Sequence, residues 1–312
     1  MHVHKLHVRG RRLQFYRNMV FIPVTLAPGT IEHSASFVPF ATAVAEGAVT
    51  VTETSTVQSL NVTNDSPNLV LGLSGTYLRG GGQDRAFPMS VLVPAHASGE
   101  VPVRCVEQGR WRPSTGQKFR TADGGSLAAS QMFDGTSTIQ QGKVWASVET
   151  ISQSARTTSN TKCHGDTIAQ LLGNTSDYTT PITSASLPDR TVGGLFLVYL
   201  ADRRMHCAFD VFGRQDLFRF YFPKLCESVA LTAVAGRLAD GSCDYREGVS
   251  LELVWRTVFH NLKCAKLFEE KVPFNAGQLL TKSGGKSGCS VSLLKYQGQA
   301  LHGMLRWDAL CT

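Results

Sequence analysis

Leu195-Phe196-Leu197-Val198-Tyr199-Leu200, followed across Asp202-Arg203-Arg204 by Met205 to Phe212, is the stretch that decides the fold. Two aromatic and β-branched runs either side of a short charged turn predict an antiparallel hairpin. A helix is expected next, from Gln215 to about Ala235, with Pro223 either kinking it or starting its longer part, because proline lacks the backbone donor. Gly248 to Asn261 reads as a further helix. Gly277 to Trp307 returns to strands around a Ser283-Gly284-Gly285-Lys286-Ser287-Gly288 loop.

Upstream, β signals dominate. Val20 to Val24 and Val49 to Glu53 read as strands, with Phe40 to Ala45 as a helical turn between them. Asn64-Asp65-Ser66-Pro67 is a turn cluster leading into Asn68 to Leu73, a nearly apolar run that suits a buried strand. Strands follow at Ser90 to Val93 and Val101 to Glu107. Polar stretches at 112 to 135 and 152 to 191 read as long loops. The expected fold is α+β: a β-rich half resembling a sandwich or open barrel (18–150), a polar loop or linker (151–191), and a β-β-α-α-β half (192–312) around a shared core. A basic arm (1–17) precedes them.

With 42% hydrophobic and 18% charged residues over 312 positions, the chain has the composition of a folded protein. No apolar run is long enough to span a bilayer, and the N-terminus lacks a secretory pattern, so a cytoplasmic location is expected, with an organelle matrix as the alternative. Eight cysteines lie 17 or more residues apart with no Cys-x-x-Cys, which favours reduced thiols over a zinc site or a disulfide framework. Lys5, Arg9, Arg11, Arg12 and Arg17 all precede the first acid, Glu32. They supply most of the formal +7 charge, so any case for a nucleic-acid or protein partner rests on the arm.

Asn18 to Pro23, Ala43 to Glu53, Gly80-Gly81-Gly82-Gln83-Asp84-Arg85, Cys105 to Trp111 and Gln141 to Trp145 together resemble the family named for association with ADP-ribosylglycohydrolases and rhodanese-phosphatases. Cys207 to Phe212, Asp216 to Phe218, Lys224-Leu225 and Gly298 to His302 extend the similarity, which spans about 18 to 307. It implies a connection with nucleotide, NAD or ADP-ribose metabolism. It implies no catalytic assignment.

Arg79 and Arg85 flank three glycines, so backbone donors of Gly80, Gly81 and Gly82 have the makings of an anion nest with two guanidiniums beside it. The competing reading is a turn in which Asp84 and Arg85 satisfy each other or nearby backbone. The loop is neither a Walker motif, lacking Gly-Lys-Ser/Thr, nor a dinucleotide fingerprint, lacking a following helix, so no cofactor is expected. Alternation along the strand ending at Glu107 puts Val101, Val103, Cys105 and Glu107 on one face. Cys105 then reads as a structural thiol. Glu107 is placed to accept a ligand hydroxyl and Trp111 to stack on a base, against ion pairing with Arg110 and core packing of the indole. His2, His4 and His7 have no carboxylate or cysteine nearby, and no metal site is expected.

Three functions compete. The first is a binding or accessory domain for a nucleotide or ADP-ribose-like anion, using Arg79, Gly80 to Gly82, Gln83, Asp84, Arg85, Glu107, Arg110 and Trp111. The second is a structural subunit of a large assembly, with RNA or protein held by the arm. The third is an enzyme using Glu53, Asp84 or Glu107 as acid or base, for which no triad or nucleophile is recognised.

Overall fold

The computed structural model describes residues 6–8, 14–30, 32–110, 118–122, 125–201, 204–237, 251–282 and 288–310. The α+β class is as expected. A nine-stranded sheet dominates, every neighbouring pair antiparallel. From one edge its strands are Met19–Leu26, Thr191–Tyr199, Arg204–Phe212, Gln299–Leu310, Cys289–Tyr296, Gln278–Lys282 and Phe268–Glu270. Leu6–Val8 and Gln14–Tyr16 both pair with the outer side of Met19–Leu26.

The expected hairpin forms the middle of this sheet. Its first strand is buried along its whole length because helices cover both faces. On one face Met19, Phe21, Phe196, Val198 and Phe212 pack with Leu217, Phe218, Tyr221 and Phe222 of a helix over Gln215–Ala235, α4 of the five among the described residues. On the other, Val20, Ile22, Leu195, Leu197, Cys207 and Phe209 meet Val254 and Val258 of α5, Leu251–Cys264. Period-two alternation therefore sorts each strand's side chains between two cores.

The β-rich half contains three small sheets. Val91–Val93, Leu69–Gly72 and Phe37–Pro39 form one; Ala97–Pro102, Ser59–Asn64 and Val49–Glu53 form another. Arg104–Cys105, Arg85–Ala86, Tyr77–Gly80 and Phe119–Thr121 form the third. The expected strand from Val101 to Glu107 is cut at Val103, where the chain leaves one sheet for the next. The alternation holds only as far as Cys105: Val101, Val103 and Cys105 are buried between half-buried Pro102 and Arg104, whereas Val106 and Glu107 are both buried. α1, Phe40–Ala45, is the expected helical turn.

Two expectations are corrected. The segment 151–191 is not a loop: it holds the end of α2, Gln141–Ser154, and the 20-residue α3, His164–Thr183. Ile168, Leu171, Thr175, Tyr178 and Ile182 make its buried stripe at helical spacing. Nor is residue 18 a boundary between arm and body, because both described pieces of the arm are strands of the large sheet. Lys5, Arg9, Arg11 and Arg12 lie outside the described residues, as do Trp111 and the loop over 283–287.

Among the described cysteines, Cys105, Cys163, Cys207, Cys226 and Cys289 are buried free thiols and Cys264 is an exposed one. No described helix is long and apolar enough to cross a membrane.

Asn18 joins the arm to the body. Its amide donates to the carbonyls of Tyr199 (2.9 Å) and Ala233 (3.0 Å), and its Oδ1 accepts from the Tyr178 hydroxyl at 2.9 Å. One fully buried side chain thus ties the arm's turn to the hairpin, α3 and α4. Removing it strands three buried polar groups, each of which costs about 1 kcal/mol or more to leave unpaired. Asn18→Ala is expected to lower unfolding free energy by about 2–3 kcal/mol in urea titrations; a loss under about 0.5 kcal/mol would show that water replaces the amide.

Candidate functional site

The glycine loop folds as a tight link between Tyr77–Gly80 and Arg85–Ala86, and two of its glycines are obligatory. Gly80 has φ +130°, and a Cβ on it would lie 2.7 Å from the Lys118 carbonyl oxygen. Gly81 has φ +55°, and a Cβ there would meet Glu53 Oε1 and Phe119. No L side chain is accommodated at either place.

The loop's amides serve the protein itself. Gly80 N–H donates to Asp84 Oδ1 at 3.1 Å and Gly82 N–H to Glu53 Oε1 at 2.7 Å. The sequence expectation of an anion nest is thus met by internal carboxylates. Arg85 has no exposed surface: it donates to the Gln83 carbonyl at 2.8 Å, and its Nη2 lies 3.9 Å from Glu53. Gln83, also buried, donates to the Gln108 carbonyl. Neither lines the cleft beside the loop.

That cleft, of about 540 Å³, gathers Arg79, Gly80, Asp84, Glu107 and Arg110 from the sequence-derived set. Lys118, Phe119, Arg120, Cys163 and Asp166 join them. Its floor is a buried carboxylate pair clamped by one guanidinium. Arg110 Nε donates to both Glu107 oxygens (2.9 and 3.0 Å), Nη2 to Glu107 Oε2 (2.7 Å) and Asp84 Oδ1 (3.0 Å), and Nη1 to the Gly81 carbonyl (3.0 Å). The Asp84 amide also donates to Glu107 Oε2 at 3.1 Å. Burial alone would raise the Glu107 carboxyl. The Arg110 fork, Thr161 and the Asp84 amide outweigh it and hold Glu107 below the usual range.

Two further groups reach the floor. The Tyr77 hydroxyl donates to Asp84 Oδ2 at 2.8 Å, and Cys163 Sγ lies 3.5 Å from both that oxygen and the hydroxyl. Burial, with Asp84 and Glu107 adding to it, pushes the Cys163 thiol up to about 11 despite its hydrogen bond with Tyr77. A thiol held up in this way stays protonated at neutral pH, so Cys163 is no ready nucleophile. One atom each of Asp84, Glu107 and Cys163 falls within 4.8 Å of the others, close enough to share a cation. Arg110 already occupies both carboxylates, and a metal would have to displace it.

The rim is cationic. Lys118 and Arg120 are exposed and have no ion pair among the described residues, while Arg79 Nε stands 3.9 Å from Asp84 Oδ2. Register places Arg120 directly opposite Arg79 across the ladder. Like charges so paired repel, an arrangement that an anion between them would relieve. The sequence reading missed Lys118, Arg120, Tyr77 and Cys163. Only the pairing of Phe119–Thr121 with Tyr77–Gly80 could have revealed the first two.

Two serine–histidine–aspartate chains lie elsewhere. Ser90 Oγ is 3.0 Å from His302 Nδ1, whose Nε2 is 3.2 Å from Asp210; Ser130 Oγ is 3.0 Å from His206 Nε2, whose Nδ1 is 2.7 Å from Asp308. A nucleophile must face its substrate. These serines are 1% and 6% exposed, and they tie the β-rich half and the 125–139 segment to the large sheet.

A family profile described as the ARG and Rhodanese-Phosphatase-superfamily-associated Protein domain matches residues 7–304. No curated protein and no solved structure matches the chain.

Removing the clamp leaves two buried carboxylates facing each other. Arg110→Met is expected to cost about 3 kcal/mol at pH 7. Glu107's depressed value contributes stability above the ordinary glutamate range that is lost as pH falls. Without Arg110 burial prevails and Glu107 binds its proton more readily, so the gap between variant and native protein should narrow by pH 4. Denaturant unfolding at both pH values checks this; a constant gap would contradict it.

Proposed function

The chain belongs to the family of ARG and Rhodanese-Phosphatase-superfamily-associated Protein domains, and on that premise we propose that its cleft recognises a nucleotide or ADP-ribose-like anion as an accessory, ligand-binding domain. The observation that carries this reading is the facing pair Arg79 and Arg120, with Lys118 beside it, above the side chains of Asp84 and Glu107. Cations at the rim suit a phosphate, which accepts paired hydrogen bonds from guanidinium. Asp84 and Glu107 suit the hydroxyls of a sugar, because a carboxylate only accepts. A ligand carrying phosphate next to ribose meets both requirements in one cleft.

Arg85 and Gln83 act here as supports: their bonds hold the loop that presents Asp84. Glu53 does likewise through Gly82. Trp111, outside the described residues, keeps its expected stacking role only as part of this proposal. The assembly alternative rests on Lys5, Arg9, Arg11 and Arg12, which are also outside the described residues. Arg17 itself sits over the Tyr16 ring at 5.1 Å.

Calorimetry with ADP-ribose, NAD and mononucleotides is expected to show binding. Arg120→Ala should weaken it about tenfold or more without lowering the melting temperature, since an exposed arginine facing another cation stabilises nothing in the empty protein. No binding across that panel, or equal binding by Arg120→Ala, would overturn the proposal.

A further inference from the structure

A second concavity, of about 820 Å³, opens where the ends of four elements meet. Four arginines line it. Arg17 comes from the turn between Gln14–Tyr16 and Met19–Leu26, Arg156 from just beyond α2, Arg204 from the start of its strand, and Arg237 from just beyond α4. Asp177 of α3 is the one acid among the described residues lining it. None of these groups belongs to the cleft beside the glycine loop.

Helix ends account for part of this. Arg156 and Arg237 follow helix C-termini, where a cation is favoured by the last carbonyls. Arg17 and Arg204 have no helix end behind them, and Arg204 also helps to hold down the Asp308 carboxyl across the sheet. More telling is the backbone beneath two of the four: Arg17 has φ +53° and Arg156 φ +55°. A two-residue hairpin turn and the residue after a helix C-cap are both places that glycine or asparagine fills without strain. Two unrelated turns each hold an arginine in a left-handed conformation, and both deliver it to the same hollow. Arg17 is further fixed over the Tyr16 ring, which packs edge-on against Tyr178 of the cleft wall at 5.1 Å.

We propose that this arginine cleft is a second anion site, separate from the first, which takes a multiply phosphorylated small molecule. Guanidiniums fork onto phosphate oxygens, and four of them around a hollow of this size match several phosphates rather than one. Gln131, Gln153 and Asn174 add neutral polar groups to the lining. The inference does not depend on the nucleotide reading of the first cleft.

Its test uses the full chain carrying Arg120→Gln, which weakens the first cleft's rim, with tripolyphosphate and orthophosphate as probes in calorimetry. Tripolyphosphate is expected to bind at least tenfold more tightly than orthophosphate. Adding Arg156→Gly should weaken tripolyphosphate about tenfold while the melting temperature holds or rises, because glycine relieves the left-handed backbone. Arg204→Gln should weaken it similarly. If tripolyphosphate fails to bind, binds no better than orthophosphate, or binds Arg156→Gly and Arg204→Gln as it binds their parent, the second site is refuted. The first cleft's reading would stand untouched by any of those results.

Discussion

Asp84 and Glu107 are buried beside each other, and Arg110 is what makes that arrangement tolerable. Two carboxylates taken out of water repel and lose hydration, a cost that only a well-aligned counter-charge offsets. Arg110 gives both a fork and a bridge, and it also takes the Gly81 carbonyl, so the same guanidinium that neutralises the acids fixes the loop carrying one of them. The loop can lie against Lys118, Phe119 and Glu53 in this conformation only because Gly80 and Gly81 carry no side chain. Conformation and electrostatics are thus one constraint, and the floor of the cleft follows from it.

The two clefts share a wall. Asp166 lies in the first, Asn174 and Asp177 in the second, and with Gln170 they follow one face of α3. At 1.5 Å per residue, Asp166 and Asp177 are about 16 Å apart along the axis. Gln170 holds the intervening loop by bonds to both the amide and the carbonyl of Thr158. α3 is therefore the rigid spacer between two cation-rimmed hollows, and Asn18, through Tyr178, ties that helix to the large sheet.

Much of the fold is legible in the sequence because its periodicities are strong. The central hairpin, α4 with Pro223 inside it, and Val49–Glu53 are read directly from apolar runs and their punctuation. α3 is not: Gly173, Pro181 and its many threonines are poor helix formers that mask a regular apolar stripe. The site is half legible. The glycine loop and Glu107 stand out locally, and Arg110 lies three residues from its partner. Cys163, 79 positions from Asp84, and Arg120, opposite Arg79, are joined to the site by tertiary pairing that no local pattern encodes. Arg85 misleads because a guanidinium beside glycines resembles a ligand contact, whereas here it is sealed inside as a brace.

The cleft's chemistry depends on Glu107 being ionised and clamped rather than protonated. Carbon-13 NMR of carboxyl-labelled protein, titrated downward from neutral pH with Glu107→Gln for assignment, measures this directly. The clamp requires the Glu107 resonance to titrate below the ordinary glutamate range. A midpoint at or above that range would mean that burial prevails over Arg110, and the ionised floor on which the cleft's chemistry is built would be gone.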